Sequence, residues 1–70
     1  MKRSEAVALL KELGKEGLIQ PSLVLIEQRQ PGNYQLCIKG DYDRSQIIDF
    51  LKKHTLECDE NTKKGYFCMF

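Results

Sequence analysis

The sequence lacks a long apolar run. No stretch approaches the ~18 consecutive apolar residues that a membrane-spanning helix requires. The start, Met1-Lys2-Arg3-Ser4-Glu5, is basic, but Glu5 follows at once and Lys11 and Glu12 interrupt the apolar residues behind it. That is not the pattern of a signal peptide. A cytoplasmic protein with no membrane partner is expected.

Charge of one sign is also lacking. The 70 residues carry a net charge of +1. Residues 1–40 hold six basic and four acidic groups, and residues 41–70 hold five and six. Neither half is a polycation, so strong electrostatic capture of nucleic acid or of an anionic membrane is not implied.

Metal-ligating and phosphate-binding patterns are missing as well. His54 is the single histidine, and no Cys-x-x-Cys or His-x-x-x-His pair exists. Structural zinc wants four ligands at paired short spacing. Glu57, Asp59 and Glu60 lack calcium-loop spacing, and no glycine-rich phosphate loop is present. No metal and no cofactor are expected.

Cysteine is scarce and odd in number: Cys37, Cys58 and Cys68. An odd count argues against a closed disulfide framework. Cys37 and Cys68 sit in apolar, strand-like runs, where free cysteine behaves as a small hydrophobe. Reduced thiols in a reducing compartment are expected. A nucleophile built from Cys58 and His54 is the enzymatic reading. Cys58 lies among carboxylates, which disfavour a reactive thiolate, so a non-enzymatic protein is expected.

What is present reads as one small domain. Composition is 41% hydrophobic and 30% charged, too apolar for disorder. Ser4 is a candidate N-cap, and Ala6, Val7, Leu9, Leu10 and Leu13 recur at helical spacing. The first helix is placed at 4–16, with Gly14 and Gly17 as stops. A strand over 22–29, a turn at Gln30-Pro31-Gly32-Asn33, and a strand over 34–39 follow. Asp43 with Gln46 fits a capping box and opens a second helix over 44–54. A short strand over 56–59, a polar turn over 60–65 and a last strand over 66–70 complete the chain.

The order αββαββ predicts an α+β fold: a four-stranded antiparallel sheet with two helices packed on one face. Residues 4–40 and 45–70 further read as one unit written twice. Ser4–Lys11 aligns with Ser45–Lys52, and Leu36-Cys37-Ile38 with Phe67-Cys68-Met69.

Strand alternation then defines a second face. If Leu36, Ile38, Phe67 and Met69 face the helices, then Gln35, Cys37, Lys39, Tyr66, Cys68 and Phe70 face away, with Lys63 and Lys64 nearby. Such a face is too apolar to be idle. A copy of the protein could bury it, another protein could dock on it, or single-stranded nucleic acid could stack on Tyr66 and Phe70. Lys64-Gly65-Tyr66 matches the first three positions of the aromatic strand motif of RNA-recognition domains, but Phe67 and Cys68 depart from it and the βαββαβ order is missing. The preferred expectation is a binding or regulatory module working through protein contacts, as a homodimer. Weak nucleic-acid binding is the alternative and a small thiol-dependent enzyme the third reading.

Overall fold

A computed structural model describes residues 1–40, 42–60 and 64–70. Helix α1 spans Arg3–Lys15, and a 3-10 turn spans Pro21–Leu23. Strands β1 (Val24–Gln30) and β2 (Asn33–Ile38) form the first hairpin. Helix α2 spans Arg44–Lys53 and leads into β3 (Cys58–Asp59) and β4 (Phe67–Met69). The fold is the expected α+β arrangement, one antiparallel sheet of four strands with two helices, in the strand order β1-β2-β4-β3.

The helix ends follow from local chemistry, with one correction. Ser4 does not cap α1. Lys2 is the N-cap residue, and its backbone N–H donates to Glu5 Oε1 at 3.2 Å. The carboxylate three residues on thus satisfies the N–H of the N-cap residue, the N3 half of a capping box, and not the first-turn donors a serine hydroxyl would serve. At α2 the expected cap is present: Asp43 Oδ1 accepts from the Ser45 and Gln46 backbone N–H groups at 3.0 and 3.3 Å. It also accepts from the Ser45 hydroxyl at 2.9 Å. These bonds, the hydroxyl foremost, hold the Asp43 carboxyl below its ordinary pKa.

Both helices end in the same hydrogen-bonded motif. Leu18 N–H reaches Leu13 O at 3.0 Å, and Leu56 N–H reaches Leu51 O at 2.9 Å. Each needs a left-handed residue just past the helix. Gly17 supplies it at φ 72°, but Thr55 holds φ 56° without being glycine. Gly14, expected as a stop, lies inside α1. Its lack of a side chain lets Pro21 pack close: a Cβ there would lie 2.9 Å from Pro21 Cγ.

The hairpin turns at Pro31-Gly32, with Gly32 at φ 82°. Just before it the register shifts between Gln28 and Gln30, so Arg29 is the extra residue of a bulge. β3 is shorter than the expected 56–59, because Leu56 is tied by its N–H to Leu51 O in the motif that follows α2. Asp41 and residues 61–63 of the expected polar turn lie outside the described residues.

The core forms on the helix side, as the alternation predicts. Leu36, Ile38, Phe67 and Met69 pack with Ala6, Leu13, Ile47, Phe50 and Leu51. The second strands of the two hairpins meet at the centre, where Leu36, Cys37 and Ile38 stand opposite Met69, Cys68 and Phe67.

Here the cysteine expectation is overturned. Cys37 and Cys68 are joined by a disulfide, with their Cα atoms 4.0 Å apart. Phe70 and Glu57 exchange backbone hydrogen bonds, as Leu36 and Met69 do by phase. Cys37 and Cys68 therefore form a non-hydrogen-bonded pair, the position where antiparallel strands approach closest. Their spacing in the sequence carries no trace of this, because the register of two strands from different hairpins is set by tertiary packing. Cys58 remains a free, exposed thiol.

Candidate functional site

The face of the sheet away from the helices can be built row by row from the register. Leu25, Cys37, Cys68 and Asp59 form one row across the four strands. Glu27, Gln35, Phe70 and Glu57 form the next. Lys39 and Tyr66 stand side by side beyond the disulfide, with Leu23 accepting from Lys39 N–H at 3.0 Å.

Its centre is covered by its own side chains. Arg29 crosses the face from the bulge. Its guanidinium carbon lies 3.7 Å from the centre of the Phe70 ring. Nη1 donates to Gln35 Oε1 at 3.0 Å and approaches Asp59 Oδ2 at 3.6 Å. Lys39 Nζ lies 5.7 Å from the Tyr66 ring centre. Each aromatic ring thus already carries a cation on its face.

The expected contact residues therefore divide. Gln35, Cys37 and Cys68 are buried. Tyr66 and Phe70 are half-buried, and Lys39 and Lys64 are exposed. Lys63 lies outside the described residues. Among the described residues, the large apolar side chains left exposed are Leu23 and Leu25, at 37% and 41%. Sequence reading missed both, together with Arg29 and Asp59. The unbroken apolar run Leu23-Val24-Leu25-Ile26 shows no polar alternation, and only the placement of Val24 resolves its two faces. Val24 packs into the core, so Leu23 and Leu25 must take the other face.

Elsewhere the surface offers less. A pocket of about 210 Å³ is lined by Met1, Arg29, Gln30, Asn33, Tyr34 and Phe70. Met1 docks there on β2: Tyr34 N–H donates to Met1 O at 2.7 Å, extending the sheet past the end of β4. A second hollow, about 230 Å³, lies between Glu5, Ala8, Leu9, His54 and Leu56. His54 Nε2 lies 3.4 Å from Glu12 Oε2, linking α2 to α1. Arg44 pairs with Glu60, which raises the guanidinium pKa. Among the described residues, no three His, Cys, Asp or Glu side chains converge to hold a metal ion. Among them, too, no helix is long and apolar enough to cross a membrane.

The chain matches no family model, and neither a curated protein nor a solved structure matches it.

Proposed function

We propose that the chain is a small non-enzymatic binding module that acts through protein contacts and self-associates. The observation that carries this reading is the pair Leu23 and Leu25, exposed on the face away from the helices and beside the free edge of β1. Strand edges offer backbone donors and acceptors to another chain, and flanking apolar side chains add to the affinity. The contact surface moves from the centre of the face, where Arg29 and the disulfide sit, to its β1 side.

Base stacking is disfavoured by the cations already seated on both rings. Phe70 and Tyr66 would each have to exchange a cation of this chain for a base, and Glu27, Glu57 and Asp59 share the face. The compartment also changes: a persistent disulfide suits oxidising surroundings better than the reducing cytosol expected from the odd cysteine count.

Light scattering over a concentration series tests the reading. The mass should rise above the 8.1 kDa of one chain as concentration increases, and a Leu23→Ser, Leu25→Lys double variant should stay at one chain. A wild-type mass of one chain at every concentration would overturn self-association.

A further inference from the structure

We infer that the Cys37–Cys68 bond is a redox switch that holds the second half of the molecule, α2 with β3 and β4, on the first. Opening of the bond by a dithiol reductant releases β4 from β2 before α1 leaves the first hairpin.

The two halves are unequally built. In the first, β1 and β2 pair at six positions, and α1 lies close against both strands and the 3-10 turn. A hairpin backed in this way by a helix can hold structure by itself. In the second, β3 and β4 pair at Cys58–Met69 and Asp59–Cys68, and Glu57 and Phe70 extend the ladder. Among the described residues, α2 approaches neither hairpin as closely as α1 approaches the first. A ten-residue helix and so short a hairpin keep little structure alone.

The second half therefore depends on its docking, and the docking is narrow. Among the described residues β4 meets β2 at three pairs, with the disulfide at the middle one. Ion pairs join the halves at Glu12, 3.8 Å from Lys53 Nζ and 3.4 Å from His54 Nε2, and from Arg29 to Asp59 at 3.6 Å. All are partly exposed to water, where such pairs contribute little. Ile47, Phe50, Leu51, Phe67 and Met69 add apolar contact with the shared core. Besides the main chain, the disulfide is the covalent tie between the halves, and it acts where the two strands would part.

Reduction removes that tie in two exchanges. A thiolate of the dithiol attacks one cysteine sulfur, the Cys37–Cys68 bond breaks, and the departing sulfur takes a proton. The second thiolate of the reductant attacks the mixed disulfide, the other cysteine leaves and is protonated, and the reductant closes to a cyclic disulfide. Two electrons and two protons pass to the chain. Release of β4 parts Arg29 from Phe70 and Asp59 together. It also uncovers Phe67 and Met69, which the oxidised chain keeps buried. The switch thus answers a reductant with new apolar surface.

Hydrogen exchange followed by mass spectrometry tests this in a Cys58→Ser chain, which keeps one pair of cysteines. Sodium sulfate in the buffer strengthens burial and keeps the reduced chain from unfolding outright. Dithiothreitol should accelerate exchange in α2 and β4 roughly tenfold more than in α1, β1 and β2. Oxidised glutathione should then restore the original pattern. Equal acceleration in both halves overturns the inference, because the bond then staples the fold as a whole. Unchanged exchange in both halves, with both thiols shown to be free by alkylation, also overturns it. So does a pattern that fails to return on reoxidation.

Discussion

At the scale of single residues, Arg29 is the side chain on which the outer face depends. Gln35 is buried, and its carbonyl oxygen accepts from Arg29. Removing the donor leaves that oxygen without a partner, and a buried unsatisfied group costs about 1–3 kcal/mol. Arg29→Ala should lower stability by about that amount in urea unfolding. Arg29→Lys should recover little, because an ammonium cannot both lie flat on Phe70 and fork between Gln35 and Asp59. Adding Gln35→Met should shrink the Arg29→Ala penalty, since no buried acceptor is then stranded. Thr55 is the converse case, a residue poorly suited to its own backbone. It holds φ 56°, a conformation that costs a side chain roughly 1–2 kcal/mol. Glycine gives part of that back through a more flexible unfolded chain, roughly 0.4–1 kcal/mol. Thr55→Gly should therefore raise stability by about 0.5–1 kcal/mol, visible as a higher urea midpoint, while Thr55→Ala should not.

At the scale of elements, the helix termini are where sequence and structure can be compared in detail. The Asp43 cap was legible because a carboxylate followed by Gln46 and an apolar run admits few other readings. The cap of α1 was read two residues late, because Ser4 is a competent cap by type, whereas the helix starts from Lys2 with Glu5 accepting from its backbone N–H. The cap at Asp43 should be visible in acid. Its carboxyl pKa is depressed in the folded chain, so the bonds it accepts favour the folded state fully at pH values above its ordinary pKa of 3.8. That support is lost as the pH falls through the lower, folded value. Thermal unfolding followed by circular dichroism should show Asp43→Asn less stable than wild type at pH 7, with the difference narrowing below pH 3.8. A gap that is unchanged or wider in acid would show that the charge on Asp43 contributes nothing. Strand faces were legible wherever apolar and polar residues alternate, as in β2. They were not legible in Leu23–Ile26, where four apolar residues in a row hide which two are exposed. The bulge at Arg29 carried no signal either, since it arises from the mismatch between the turn and the ladder.

At the scale of the whole molecule, the seam between β2 and β4 joins the two hairpins, among the described residues, through three residue pairs. The Cys37–Cys68 bond lies at its middle. The αββαββ order was readable from the sequence, but the strand order was not, and with it went the seam and the disulfide. Both depend on contacts between segments 31 residues apart, which local patterning does not encode. The bond should matter more than any single side chain. Closing a loop of that length lowers the entropy of the unfolded chain by an amount equivalent to about 3–4 kcal/mol. A single core of this size supplies about 3–5 kcal/mol of net stability, so the reduced chain should be close to unfolding at ambient temperature. A Cys37→Ala, Cys68→Ala variant should show the same low urea midpoint as dithiothreitol-treated wild type, and Cys58→Ser should match the untreated protein. Both sulfurs are buried, and a thiolate must reach one of them to exchange. The rate of reduction by dithiothreitol should therefore follow opening of the seam. It should rise steeply with urea well below the unfolding midpoint. A rate independent of urea would mean that the sulfurs are reached without opening, and that the seam does not guard the bond.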